Sequence, residues 1–191
     1  MFHPSGPAAV KLIIFIIASA GIIFISRVSL RLPHSHGFFR FFTFESILAL
    51  TLLNTEYWFA EPFSAIHIVS WLLLFFSLFL AAHGFYLLRV IGKPARESRP
   101  TTANFRFENT ATLITVGAYK YIRHPLYCSL LLLGWGAFLK KPTFLTVCLI
   151  LATSAFLFTT AKVEEKENLR RFGVDYAEYM KRTKMFIPFL F

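Results

Sequence analysis

The chain has 191 residues, of which 56% are hydrophobic and only 16% are charged. Because charged residues make up about 25% of an ordinary soluble domain, this composition excludes a soluble globular protein and indicates an integral membrane protein. The net charge of +10 is explained by the lysines and arginines that accumulate on the cytoplasmic side of membrane proteins. A nucleic-acid-binding protein is not favoured, since no basic face is interleaved with stacking aromatic residues outside the apolar segments.

Apolar stretches alternate with shorter polar segments along the chain. A helix of about 20 apolar residues crosses a bilayer, and the sequence predicts spans at 8–26, 41–60, 63–91, 125–139 and 143–161. The fourth span is short, at roughly 22 Å against a hydrocarbon core of roughly 30 Å, so we expect its polar entrance to lie below the lipid headgroups. The predicted fold class is all-α: an integral membrane helical bundle of about five transmembrane helices, with a C-terminal helical hairpin and a cytosolic tail forming a cofactor pocket.

The basic residues predict the orientation of the chain. The first loop, the segment 92–123 and the C-terminal tail are basic and are expected in the cytosol, whereas the Glu61-Pro62 turn is expected outside. The N-terminus is then outside and the C-terminus is cytosolic. Lys140 and Lys141 fall on the outer side, where long side chains can snorkel.

No internal repeat is found, and we interpret residues 1–191 as a single membrane domain. Its N-terminal part, 1–91, contains three spans, and residues 92–191 form the cofactor-binding part. Cys128 and Cys148 lie in apolar segments without metal-ligand spacing, so we expect buried thiols and no metal site. His67 and His83 lie roughly 24 Å apart along one helix, and we interpret each as packed or hydrogen-bonded.

The most informative segment, 117–127, reads Gly-Ala-Tyr-Lys-Tyr-Ile-Arg-His-Pro-Leu-Tyr. Pro125 suits the first turn of a helix, where its missing N–H group has no consequence. The free N–H groups of that turn and the helix dipole favour an anion. Arg123 and His124 add donors at the same place, so the segment predicts a site for a carboxylate or phosphate.

An acidic pair, Glu164-Glu165, follows at the far end of the next apolar span. The last two spans form a hairpin, which brings this pair close to Arg123 and His124. The carboxylates could hold an ammonium group or a ribose diol, and ionisable residues at membrane depth indicate function. Together the two clusters predict a pocket for a small zwitterionic cofactor at the edge of the bilayer. The alternative is an interfacial salt-bridge cluster that anchors the hairpin.

These motifs resemble one known family. The matching pattern is Gly117-x-Tyr119-x-x-x-Arg123-His124-Pro125-x-Tyr127, then Glu164-Glu165, then Leu169-x-x-Phe172-Gly173-x-x-Tyr176-x-x-Tyr179 and Pro188. It resembles the isoprenylcysteine carboxyl methyltransferase family, which shares its C-terminal half with phospholipid N-methyltransferases. The resemblance covers about residues 105–190, whereas the first three spans match only in being apolar.

The resemblance implies an enzyme that uses S-adenosylmethionine as methyl donor, held by the last two spans and their cytosolic flanks. The implied cofactor-binding residues are Ala111, Thr112, Leu113, Ile114, Gly117, Tyr119, Arg123, His124, Pro125, Leu126, Tyr127 and Glu164. Methyl transfer to an amine needs an unprotonated acceptor, and Glu165 is the candidate catalytic base.

One position departs from the family pattern. Isoprenylcysteine enzymes carry an arginine four residues before the cofactor glutamate, associated with the substrate carboxylate, and this chain has Thr160 there. Arg182 or Lys162 is the candidate substitute for substrate binding. The predicted function is methyl transfer to a lipophilic or small acceptor, a carboxylate, amine or thiol, at the cytosolic interface of the bilayer. The alternative is a non-catalytic membrane binding or assembly protein that retains the fold.

Overall fold

The computed structural model describes residues 6–92 and 112–188, so Ala111, predicted to bind the cofactor, lies outside the described residues. The α-helices are α1 Gly6–Leu30, α2 His36–Leu53, α3 Ala65–Val90, α4 Pro125–Phe138, α5 Phe144–Phe172 and α6 Val174–Arg182. Short 3₁₀ helices occupy Thr55–Tyr57 and Gly117–Lys120. The described parts of the chain contain no strand, only an isolated bridge between Ile122 and Lys184. The all-α prediction is confirmed.

Four helices, α1, α2, α3 and α5, are long and apolar enough to cross a membrane, and α4, with 14 residues, is a shorter apolar helix. The prediction of a multi-pass membrane bundle is confirmed, whereas the predicted fourth span is a short apolar helix whose crossing of the membrane stays a prediction. Several helix ends differ from prediction: α1 ends at Leu30 rather than 26, and α2 ends at Leu53 rather than 60. α2 begins at His36 rather than near 41, because the Ser35 hydroxyl accepts a hydrogen bond from the Phe38 N–H and caps the helix. α5 runs to Phe172 rather than 161, because no helix breaker precedes Gly173, which has φ of 58°.

The bundle pairs α2 with α5 and α3 with α4, while α4 also packs against α5 and α1 against α2. Small residues allow α3 and α4 to approach closely. A methyl group added at Gly136 would lie 2.8 Å from Leu74 Cγ, and the Ser70 hydroxyl donates to the Gly136 carbonyl at 2.7 Å. Small residues and hydroxyl hydrogen bonds are the usual means of joining helices inside a membrane.

Polar contacts define the end of the bundle that carries the turn between α4 and α5. The Asn54 amide donates to the Ala137 carbonyl at 2.7 Å, and His67 Nε2 lies 3.1 Å from the Lys140 carbonyl. The Glu61 turn lies at this end too, since its carbonyl is 2.9 Å from His67 Nδ1. The first loop, residues 112–124 and the C-terminal tail lie together at the opposite end. Which end faces the cytosol stays a prediction.

The burial of two side chains, Lys140 and Cys148, differs from the prediction. Lys140 does not reach outward: it is 2% exposed, and its Nζ lies 3.5 Å from the centre of the Trp71 ring. The face of an aromatic ring attracts an ammonium group, and this attraction replaces the expected contact with the interface. Cys128 is buried as predicted, but Cys148 is exposed on the outer face of α5, so its predicted burial was wrong.

Candidate cofactor site

A cleft enclosing about 640 Å³ of empty space, its solvent-open part included, lies at the end of the bundle that carries the tail. The cleft is lined by Leu88, Leu113, Ile114, Tyr119, Arg123, His124, Leu126, Tyr127, Glu164, Asn168, Phe172, Tyr176 and Tyr179. Its wall therefore combines aliphatic and aromatic side chains with a carboxylate, an amide and phenolic hydroxyls, a mixture that suits an amphiphilic small molecule.

The loop that carries Tyr119 is fixed from two sides. His83 Nε2 accepts a hydrogen bond from the Ala118 N–H at 3.3 Å, and the Tyr179 hydroxyl donates to the Tyr119 carbonyl at 2.7 Å. Gly117 has φ of 60°, and a Cβ there would lie 2.6 Å from His83 Nε2. His83 is thus a hydrogen-bonded histidine, as predicted, and it positions one wall of the cleft.

The Gly117→Ala variant is expected to lose stability because its backbone conformation is left-handed and its methyl group would meet His83. The strain alone is worth about 1–3 kcal/mol. Gly173→Ala is the matched control, since Gly173 has φ of 58° but a methyl group added there would have no neighbour within 4 Å. Thermal unfolding in detergent should show a larger loss for Gly117→Ala than for the control. Equal losses would contradict the proposed close contact with His83.

Arg123 joins three segments of the chain. Its Nε donates to Glu165 Oε1 at 2.6 Å, and its Nη1 donates to the Thr183 and Met180 carbonyls. These carbonyls lie at the C-terminal end of α6, where a positive charge is favourable. The Arg123 N–H also donates to the Lys184 carbonyl at 2.7 Å. Arg123 lines the cleft, but these donors are engaged within the protein rather than directed at an anionic guest.

The neighbouring glutamates of α5 have different surroundings. Glu164 lines the cleft with a side chain that is 26% exposed, and the Tyr127 side chain hydrogen-bonds to it. Glu165 is 3% exposed and does not line the cleft. Glu164 is therefore the carboxylate available to a ligand, whereas Glu165 is held by Arg123.

His124 lies between both glutamates and is 5% exposed. Its Nδ1 is 3.8 Å from Glu164 Oε2, and its Nε2 is 3.5 Å from Glu165 Oε1. The ring stacks on Tyr127 with centroids 5.4 Å apart. Nε2 is buried and makes no hydrogen bond to any described residue. His124 therefore lines the cleft beside Glu164, and its ring lies within 4 Å of both carboxylates.

The structure brings most of the residues predicted for the cofactor into one wall. The predicted residues that line the cleft are Leu113, Ile114, Tyr119, Arg123, His124, Leu126, Tyr127 and Glu164. Gly117 and Pro125 shape the backbone beside it. Thr112 is exposed and donates to the Ile91 carbonyl at 3.1 Å, outside the cleft lining.

The residues predicted for the acceptor do not reach the cleft. Arg182 is exposed, and its Nε donates to the Glu178 carbonyl at 3.5 Å. Lys162 is also exposed and lies 3.8 Å from Glu165 Oε2. Thr160 is 0% exposed, and its hydroxyl donates to the Phe156 carbonyl at 2.7 Å within α5. Thr160 thus faces the interior of the bundle and leaves the cleft without a side chain from that position.

Sequence reasoning missed several residues of the wall as site residues, namely Leu88, Asn168, Phe172, Tyr176 and Tyr179. Helical spacing carries a signal for most of them. Asn168 and Phe172 follow Glu164 at intervals of four residues, which places them on one face of α5. Tyr176 and Tyr179 are three apart on α6 and share a face for the same reason. Burial raises the pKa of both phenols, so they are neutral hydrogen-bond donors at neutral pH.

Comparison with known proteins places this geometry in context. Residues 99–170 match the model of the isoprenylcysteine carboxyl methyltransferase family. A methanethiol S-methyltransferase of Pseudomonas deceptionensis is 26% identical over 99% of this chain and 63% of its own length. Methanethiol S-methyltransferase 2 of Bradyrhizobium diazoefficiens is 28% identical over 66% of this chain and 45% of its own length.

A third relative has a different name. The cobalt-zinc-cadmium resistance protein CzcN of Cupriavidus metallidurans is 39% identical over 40% of this chain and 36% of its own length. In the described part of the chain, no group of three His, Cys, Asp or Glu side chains could hold a metal ion. No solved structure matches the chain significantly.

The chain spans between 42% and 63% of the lengths of the methanethiol S-methyltransferases that it matches. The segment matched by the family model contains α4, the Arg-His-Pro motif and the acidic pair of α5. These are the elements that build the carboxylate side of the cleft. Through this segment, the chain resembles the isoprenylcysteine carboxyl methyltransferase family, and its long apolar helices are those of a multi-pass membrane protein.

Proposed function

We propose that this protein is a membrane methyltransferase that uses S-adenosylmethionine and methylates a small or lipophilic acceptor at the membrane interface. The observation that carries the proposal is the cleft in which Glu164 faces a wall of both polar and apolar side chains. The family match and the names of the relatives support a methyltransferase. The cleft itself supports a donor that has charged, hydroxyl-bearing and aromatic parts.

The residues present fit such a donor. Glu164 and Asn168 offer a carboxylate and an amide to an ammonium group or ribose hydroxyls, and Leu113, Ile114 and Phe172 offer apolar surface to a purine. When bound, S-adenosylmethionine would supply an electrophilic methyl group on a sulfonium. Displacement at that methyl requires alignment of the acceptor more than acid–base chemistry. The task proposed for this chain is therefore to bind, orient and exclude water.

A thiol or amine acceptor is favoured over a carboxylate. A carboxylate acceptor needs a cationic partner, and Arg123, which lines the cleft, already has Nε and Nη1 bound to protein acceptors. Thr160 supplies no charge. The relatives named methanethiol S-methyltransferases favour a small thiol within this class. We assign Glu165 to holding Arg123 rather than to accepting a proton, so the thiol or amine acceptor would release its proton to water.

The test uses the full chain in bilayer discs of total lipid, with methyl-labelled S-adenosylmethionine and added methanethiol. Label in volatile dimethyl sulfide is the expected result, and protein-free discs are the control. Label in lipid that alkali releases as methanol would mean carboxyl methylation, and alkali-stable label in lipid would mean an amine acceptor. Donor binding without any transfer would favour the non-catalytic binding or assembly protein.

A further inference from the structure

α2 lies outside the segment matched by the family model, yet its buried face changes character along its length. The buried residues of this face are His36, Gly37, Arg40, Thr43, Ile47 and Leu50. Most of them recur at intervals of three or four residues and therefore form one stripe, and α2 packs against α5. The stripe is apolar at the end near Leu50 and ionisable at the end near the cleft.

His36 binds the acidic face of α5 directly. It is 1% exposed, and its Nδ1 lies 2.7 Å from Glu167 Oε2. Ser35 caps α2 immediately before it and so fixes where the ring enters the bundle. Glu167 is three residues after Glu164 on α5, which places the two carboxylates on neighbouring positions of one helix surface.

Arg40 brings a buried positive charge to the same place. It is 2% exposed and lies one turn after His36 on α2. The Glu164 carboxylate interacts electrostatically with His124, His36 and Arg40. Of these three groups, His124 has its Nδ1 at 3.8 Å from Glu164 Oε2, and His36 is tied to the same face of α5 through Glu167.

A packing role alone does not explain these residues. Replacing buried ionic groups by apolar residues of similar volume is often neutral or stabilising, so a packing face has no need of arginine and histidine. Ionisable side chains that are buried in a membrane bundle and beside a ligand cleft indicate a role in function. The end of the stripe that carries His36 and Arg40 also packs near Glu164, the carboxylate that faces the cleft.

We propose that His36 and Arg40 are positioning residues of the cofactor site: from α2, they hold the acidic face of α5 so that the Glu164 carboxylate stays directed into the cleft. This inference rests on the proposed binding of S-adenosylmethionine. It makes the N-terminal half of the bundle a part of the methyl-donor site rather than only a membrane anchor.

The test measures equilibrium binding of S-adenosylmethionine to the full chain in bilayer discs. Arg40→Gln is expected to weaken binding by about 10-fold to 100-fold, the equivalent of losing a hydrogen bond or ion pair to a charged group. The KM for the acceptor should be unchanged, and Arg40→Lys, which keeps the charge, should recover most of the affinity. Ile47→Val, on the apolar part of the same stripe, is the matched control and should bind normally.

A double-mutant cycle separates positioning from packing. In a Glu164→Gln background, Arg40→Gln should cause no further loss of affinity, because its effect passes through Glu164. Glu167→Gln, which removes the exposed partner of His36, should weaken binding several-fold and provides a second variant if Arg40→Gln does not fold. Wild-type affinity in both variants, or equal losses with and without Glu164, would overturn this inference alone. Absence of binding by the wild-type protein would overturn the proposed function with it.

Discussion

Glutamine in place of Glu164 is expected to remove most of the affinity for S-adenosylmethionine while leaving the bundle folded. The side chain lines the cleft, is 26% exposed, and is the carboxylate that His124 approaches at 3.8 Å. In the proposed complex, the Glu164 carboxylate makes a desolvated, charged contact with the ligand. Removing one partner of such a contact is worth about 2–5 kcal/mol, which corresponds to an affinity loss of at least about 30-fold. Glutamine keeps the volume of the side chain, so the packing of α5 is retained.

The matched control for this prediction is Glu178→Gln. Glu178 is a carboxylate of α6 whose side chain is 51% exposed and lies 2.6 Å from Lys181 Nζ, away from the cleft lining. Filter binding of labelled S-adenosylmethionine to both variants in bilayer discs makes the comparison, and thermal unfolding confirms that each is folded. Wild-type affinity in Glu164→Gln would mean that the cleft is not the donor site.

Alanine in place of Arg123 is expected to have the largest effect on stability. The Arg123–Glu165 pair is buried, with side chains that are 10% and 4% exposed, and Arg123 also binds carbonyls at the end of α6. Breaking a buried pair from one side is worth about 3–5 kcal/mol, because the remaining charge is left uncompensated. α6 would lose its side-chain attachment to Arg123, so Tyr176 and Tyr179 would be held less firmly, by the Tyr179–Tyr119 hydrogen bond and the backbone bonds of Lys184.

Denaturant unfolding in mixed micelles measures the stability change, and limited proteolysis near Gly173 reports the release of α6. The double variant Arg123→Met with Glu165→Leu is the informative control. Since it removes both charges, it should recover much of the stability lost in Arg123→Ala. If the free energy of unfolding of Arg123→Ala falls by less than about 1 kcal/mol, the value typical of an exposed ion pair, the Arg123–Glu165 pair does not act as a buried ion pair.

Composition and apolar runs were sufficient to predict the membrane bundle, its short fourth helix and the hairpin that brings Glu164 to His124. Local signals that compete with hydropathy explain the differences. Ser35 starts α2 early through its hydroxyl cap, and the charged residues after 161 continue α5 because they are compatible with a helix. Hydropathy records where a helix leaves the apolar region, whereas caps and breakers determine where it ends.

The acidic pair shows why the site could be predicted only in part. Adjacent residues on a helix point about 100° apart, so the sequence cannot say which of Glu164 and Glu165 faces the cleft without the rotation of α5. The contact between His36 and Glu167 joins residues that are 131 positions apart in the sequence, so no local sequence pattern predicts it. The proposal that S-adenosylmethionine is the methyl donor rests on the family resemblance rather than on spacing or composition.

The most direct test of the account is an experimental structure of the full chain in bilayer discs with S-adenosylhomocysteine, the demethylated donor. We predict density in the cleft, with a polar group of the ligand within hydrogen-bond distance of Glu164 and its purine against Leu113, Ile114 or Phe172. Density at any other place on the protein, or an empty cleft at saturating ligand, would contradict the assignment of this cleft as the methyl-donor site.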